Sequence, residues 1–189
     1  MEEIIQFFEA IEIISQEDKD IMRKHLFYSS LKKGEYFYRE GEFCNNIGFV
    51  IEGVLRVVHV DSLGNENTRY FINENHFSVD LESYNNKIPT TEFQEALTDC
   101  RLVVITRAAM DLFLDTIPNF RKIVNIITER ALLEKYNVKS EMITDDAITR
   151  YSKLLKRNPT IIQRVPLHII SSFLGVSPFT LSRIRKQYK

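Results

Sequence analysis

Between Val165 and Tyr188 the chain places its backbone punctuation so tightly that few local folds remain open to it. Pro166 suits the first position of a helix, where its missing N–H is not needed. Leu167, Ile170, Phe173 and Leu174 then recur at helical spacing and define one apolar face. Gly175 follows directly, where a helix ends with positive φ. Ser177 is a strong N-cap, and Pro178 is a good first residue for a second helix. The spacing predicts two short helices joined by a turn of about three or four residues, a helix-turn-helix.

The second of these helices has two faces. Leu181, Ile184 and Tyr188 fall on one and are expected to pack on the first helix, with Val176 closing the turn. The other carries Phe179, Ser182, Arg183 and Lys186. A recognition helix turns its N-terminal half toward base edges in the major groove. Arg183 suits a bidentate contact to guanine, and Phe179 suits a thymine methyl. Ser177, Thr180 and Lys186 are placed for phosphates, which set register without reading sequence. The alternative is a helical hairpin with a solvated basic face. Charge argues against it: from Ala147 to Lys189 there is no Asp or Glu. Nine basic residues lie there: Arg150, Lys153, Lys156, Arg157, Arg164, Arg183, Arg185, Lys186 and Lys189. Residues 1–146 then hold 16 of the 25 Lys and Arg against all 26 Asp and Glu, a net charge of −10. An acidic body with a basic tail is the electrostatic footprint of a nucleic-acid-binding module.

Three segments carry a resemblance: Arg150-Tyr-Ser-Lys-Leu-Leu-Lys-Arg-Asn-Pro159, Arg164-Val-Pro, and Phe173-Leu-Gly-Val-Ser-Pro-Phe-Thr-Leu-Ser-Arg-Ile-Arg-Lys186. Together they resemble the C-terminal domain of Crp/Fnr-type bacterial transcription regulators, most like the short subgroup common in Bacteroidetes. The resemblance implies double-stranded DNA as partner, a homodimer, RNA polymerase as a further partner, and a base contact from Arg183. It also implies a departure. The family usually has Glu where this chain has Phe179, so the acceptor for cytosine N4 is missing and the family's usual operator is not expected. The sequence ends at Lys189, so no β-wing is expected after the second helix.

Upstream, helices are expected at Ile4–Ile14 and Glu17–Phe27. Residues 31–106 then change character. Tyr36–Tyr38, Ile47–Ile51, Leu55–Val60, Thr68–Ile72 and Leu102–Ile105 are short β-branched or aromatic runs between Gly-, Asn- and Asp-rich breaks. Such spacing predicts an antiparallel sandwich or barrel. The order Lys33-Gly-Glu, Glu40-Gly-Glu, Gly48-Phe-Val-Ile-Glu-Gly53, Gly64-Asn-Glu resembles a cyclic-nucleotide-binding fold and extends the resemblance over nearly the whole chain. The expected class is α+β: an antiparallel jelly roll with flanking helices, a long dimerisation helix and a C-terminal helix-turn-helix. The expected domains are a sensor over 1–117, a dimerisation helix and hinge over 118–144, and a DNA-binding domain over 145–189.

A fold does not specify its ligand. Cyclic-nucleotide binders pair a Gly-Glu, for the ribose, with an Arg-Ser or Arg-Thr, for the cyclic phosphate. Laying Phe77-Ser-Val-Asp-Leu-Glu82 on that cassette puts Val79 at the Gly, Asp80 at the Glu, and Thr90-Thr91 at the Arg-Ser. Without the arginine the phosphate loses its charge-assisted bidentate partner. Cyclic AMP and GMP are therefore not expected here. Asp80, Thr90 and Thr91 remain candidates for another small-molecule effector, or for a pocket filled by the chain's own side chains.

A helix from about Pro118 to Ile143 links the halves. Phe120, Val124, Ile127, Ala131, Val138 and Met142 follow an almost heptad seam, interrupted at Glu134, which the resemblance assigns to dimerisation. Ile123, Ile126 and Leu133 are left for the intramolecular face. Thr144-Asp145-Asp146 is the expected hinge and N-cap of the next helix.

Other chemistry is sparse. A 44% apolar content supports two small cores, and no apolar run approaches a membrane span, so a cytoplasmic protein without signal peptide or membrane partner is expected. Cys44 and Cys100 form no CxxC and cannot supply the four ligands of an iron–sulfur cluster. His25, His59, His76 and His168 show no metal-binding spacing. No catalytic residue, metal or cofactor is expected, which points away from an enzyme. The competing reading is a small-molecule-binding or protein-interaction jelly roll whose tail does not read DNA.

Overall fold

The computed structural model describes residues 1–188; Lys189, counted above among the basic residues, lies outside the described residues. Helices α1 (Glu2–Glu9) and α2 (Gln16–His25) lead into two four-stranded antiparallel sheets. One sheet runs in the order β1 (Leu26–Leu31), β8 (Cys100–Thr106), β3 (Asn46–Glu52), β6 (Phe77–Ser78). The other runs β2 (Tyr36–Tyr38), β7 (Phe93–Ala96), β4 (Leu55–Val60), β5 (Glu66–Ile72). Helix α3 (Leu81–Asn86) sits between β6 and β7. After β8 come α4 (Arg107–Thr116), the long α5 (Phe120–Thr144), α6 (Ala147–Arg157), α7 (Pro159–Arg164), α8 (Leu167–Leu174) and α9 (Pro178–Lys186). This is the expected jelly roll with flanking and C-terminal helices.

The sheets close on a layer of Val50, Leu55, Val57, Ile72, Ala96, Cys100 and Leu102. Alternation along each strand sends one set of side chains inward, so burial of this layer sets the register. Gly53, between β3 and β4, has φ +107°, and a Cβ there would lie 2.5 Å from Cys100 Sγ and 2.6 Å from the Asp99 carbonyl. Only glycine fits that turn. A second apolar layer joins α1, α2, α4 and the start of α5 to the outer face of the first sheet. Ile4, Phe8, Met22, Phe113, Phe120 and Ile123 meet Phe49, Val103 and Ile105 there.

Several expectations are corrected. The first helix ends at Glu9, although Ile14 is still buried. The second stops at His25; Leu26 and Phe27 instead start β1, opposite Ile105 and Val104 of β8. A helical apolar pattern cannot reveal that a partner strand is waiting. The long helix begins at Phe120 rather than Pro118, with Asn119 in a left-handed conformation at φ 61°. Pro166 is the N-cap of α8 rather than its first residue, and its carbonyl accepts from Ile169 and Ile170 N–H.

Phe120 has no area to offer a second chain. It is fully buried, edge-on to Phe8 at 5.4 Å and to Phe113 at 5.5 Å. Val124 and Ile127 lean half-buried on the same layer, Ala131 is exposed, and Val138 is half-buried. Leu133, expected to face inward, is exposed, as are Leu132, Tyr136 and Ile143.

Candidate nucleic-acid interface

Helices α6 to α9 build one small core from Tyr151, Leu154, Ile161, Ile162, Val165, Ile169, Ile170, Leu174, Leu181 and Ile184. Gly175 ends α8 at φ 64°, ψ 37°, and Val176 N–H closes back on the Ser171 carbonyl at 3.0 Å. Ser177 then caps α9 by accepting from Thr180 N–H at 3.1 Å. Its hydroxyl also lies 2.9 Å from Thr180 Oγ1, so the two candidate phosphate contacts are tied into the cap. Leu181 and Ile184 pack inward as expected. Tyr188 instead is partly exposed and stands edge-on to Tyr151 at 5.4 Å.

The opposite face of α9 brings together the residues expected to meet DNA. Phe179, Thr180, Ser182, Arg183 and Lys186 are all exposed. Among the described residues, Arg183, Arg185, Lys186 and Lys156 have no acidic partner. Arg183 also borders an open cleft of about 330 Å³ shared with Asp146, Ala147, Ile148 and Gln187.

Four other basic residues of the tail, Arg150, Lys153, Arg157 and Arg164, are engaged within the chain. Lys153 pairs with Asp145 at 2.7 Å, Arg157 pairs with Glu141 at 2.6 Å, and Arg150 donates to the Met142 carbonyl at 3.4 Å. Asp146 caps α6 by accepting from Thr149 N–H at 2.8 Å, as the Thr144–Asp146 hinge required. Arg164 makes a two-pronged ion pair with Glu74 of the β5–β6 loop, at 2.6 and 2.9 Å. Its guanidinium holds the Glu74 carboxyl down at about 2. Beside this pair, Ser172 Oγ accepts from Thr68 N–H at 3.1 Å and donates to the Glu66 carbonyl at 3.3 Å. Phe173 packs against the core of α6 to α9 and also meets Phe71 of the jelly roll, their ring centres 5.0 Å apart. Val54 and Leu97 complete that core from the jelly-roll side. The helices after Asp145 are thus docked on the edge strand β5. Nothing in the local sequence marks this contact, whose ion-pair partners lie 90 residues apart.

The candidate effector residues are arranged differently. Asp80 caps α3, with Oδ1 accepting from Glu82 and Ser83 N–H, while its Oδ2 accepts from Thr90 Oγ1 at 2.6 Å. Thr90 is buried and Thr91 is exposed. Neighbouring Glu92, pushed up by burial, pairs with Arg69 at 2.7 Å. The Lys135 ammonium from α5 lies 4.2 Å from the centre of the Tyr70 ring. Sequence reasoning missed Glu92, Arg69, Tyr70 and Lys135, because the cluster draws on three separate elements. Arg107 is engaged with the Tyr84 and Cys44 carbonyls. No guanidinium of this cluster is left for a phosphate among the described residues.

Cys44 and Cys100 are free and buried, and burial pushes both thiols up. Among the described residues, no group of three or more His, Cys, Asp or Glu could hold a metal ion. No helix there is long and apolar enough to cross a membrane.

Residues 28–116 match the family model of the cyclic nucleotide-binding domain. Among solved structures, FixK2 from Bradyrhizobium japonicum superposes with a TM-score of 0.73 at 16% identity, covering 86% of this chain and 83% of its own. The c-di-GMP-responsive global regulator CLP from Xanthomonas campestris gives 0.70 at 16% identity, covering 92% and 91%. The catabolite activator protein of Thermus thermophilus gives 0.57 at 15% identity, covering 93% and 84%. At such identities the likeness is one of fold. No curated protein matches the chain in sequence.

Proposed function

We propose that this chain is a homodimeric, sequence-specific DNA-binding transcription regulator of Crp/Fnr type, of the short subgroup found in Bacteroidetes. The observation that carries the reading is the open face of α9. It presents Arg183, Ser182, Lys186 and Phe179 to solvent with no acidic partner among the described residues, while Arg150, Arg157 and Arg164 are engaged within the chain. On this reading α8 and α9 are a helix-turn-helix, α9 enters the major groove, and Arg183 takes a guanine. Ser177, Thr180 and Lys186 hold phosphates. The functional division is a sensor over 1–117, a dimerisation helix over 118–144 and a DNA-binding domain over 145–189, with RNA polymerase as a further partner.

Dimerisation is assigned to α5, with its seam moved from the expected line. Leu132, Tyr136 and Ile143 are exposed and spaced four and seven apart, the pattern of a coiled-coil stripe. Ala131 and Val138 flank it, while Phe120, Val124 and Ile127 serve the chain's own core. A two-fold dimer presents its recognition helices about 34–36 Å apart, so a palindromic operator follows.

The sensor is proposed not to take cyclic AMP or GMP. Asp80 and Thr90 bind each other, Arg69 is paired with Glu92, and the position of the phosphate arginine carries threonine. The residues present do not fit a cyclic nucleotide, and no cofactor is assigned.

The test is selection from a random pool of DNA duplexes by purified protein without added ligand. Enrichment of a palindrome is the expected result. Salt-sensitive binding without an enriched sequence would leave a tail that holds phosphates but reads no bases, and would overturn ligand-independent sequence reading.

A further inference from the structure

We propose that Phe179 makes operator binding depend on the C5-methyl group of one pyrimidine in each half-site, a thymine lying one or two base pairs from the guanine of Arg183. This rests on the DNA-binding reading above. Phe179 stands in the first turn of α9, 73% exposed, and joins none of the aromatic contacts among the described residues. It shares its face with Ser182, Arg183 and Lys186, and α9 itself contains no Asp or Glu.

A phenyl ring neither donates nor accepts a conventional hydrogen bond. Pressed against the amino group of cytosine or adenine, or against a purine acceptor, it strips water from a polar atom and replaces nothing. The thymine methyl is the one apolar feature of the major-groove edge. Contact there buries ring and methyl together at no polar cost.

Spacing places that methyl. Phe179 and Arg183 are four residues apart, about 6 Å along the helix axis at a rise of about 1.5 Å per residue. Stacked base pairs are about 3.4 Å apart, so two neighbouring side chains on one helix face reach bases one or two steps apart. Because the contact is to a methyl rather than to a pairing edge, 5-methylcytosine presents the same group as thymine.

The experiment takes the palindrome recovered by selection and replaces each thymine by uracil, symmetrically in both half-sites. That exchange removes only the methyl. The full-length wild type is expected to lose about fourfold per half-site at one position, the worth of one buried methyl, and to tolerate uracil elsewhere. F179A, at a site that supports no core, is expected to bind thymine and uracil duplexes alike. Where that thymine is replaced by cytosine, 5-methylcytosine restores about fourfold per half-site to the wild type and nothing to F179A. Uracil tolerated by the wild type at every position overturns the proposal, as does an equal uracil penalty in F179A. An enriched palindrome without a uracil penalty removes this inference alone; no enriched sequence removes it together with ligand-independent sequence reading.

Discussion

The cluster around Asp80 and the face of α9 are the two polar surfaces with most claim to a ligand, and they are built on opposite terms. Around Asp80 the groups answer one another: Thr90 donates to the carboxylate at 2.6 Å, Arg69 holds Glu92 at 2.7 Å, and Lys135 lies against Tyr70. On α9, Ser182, Arg183 and Lys186 face water without an acidic partner among the described residues. A polar group taken out of water must find a partner, so the half-buried cluster is closed by its own members. An exposed cation has no such obligation and exchanges solvent for a phosphate or a base edge when one arrives. The lesson is that residue type alone does not identify a binding surface. Arg164 and Arg183 belong to the same basic tail, yet one fastens the tail to the jelly roll and the other stays open.

The contrast can be broken at four points. Leu132→Asp places a charge in the exposed stripe of α5 and is expected to yield monomers in light scattering. Affinity for a palindromic duplex should fall about 100-fold or more as the second contact is lost. A persistent dimer moves the interface off this helix. Next in size is Arg183→Ala, expected to cost about 1–3 kcal/mol at one base position in competition binding. An unchanged base preference takes Arg183 out of its role.

Glu74→Gln probes the engaged side of the tail. A carboxylate held at about 2, below its ordinary 4.5, contributes stability that is fully present above pH 4.5. That contribution is lost as pH falls from 4.5 toward 2. Solvent screens the pair in part, so its removal is expected to cost about 1–2 kcal/mol at pH 7 in urea unfolding. The two proteins should converge near pH 2, and an undiminished gap there refutes the ion pair as the cause. The smallest effect belongs to Thr90→Val, which deprives Asp80 of a donor and should cost about 1 kcal/mol. Cyclic AMP should leave the melting temperature of both proteins unmoved; a rise in the wild type would show that the cluster opens to a nucleotide.

How much of this was legible depended on range. The turn at Gly175 and the cap at Ser177 are decided within a few residues, and the structure reproduces both. Leu55–Val60 and Tyr36–Tyr38 emerge with the bounds their alternation suggested. Helical periodicity misled where it had to name a partner. It identified Phe120 and Leu133 as members of apolar stripes, but Phe120 went to the chain's own core and Leu133 to solvent. The Asp80 cluster was half legible: Asp80 and Thr90 stood out by position, whereas Arg69, Glu92 and Lys135 joined them through strand pairing and the path of α5.

By itself, then, the sequence determined the elements whose causes are local: caps, turns, alternation, and a tail free of acidic residues. Tertiary structure decided which surfaces meet, and so which charges remain open. An ion pair between Glu74 and Arg164 depends on two side chains arriving within 3 Å of one another across 90 residues of chain, and no pattern in either segment encodes that arrival.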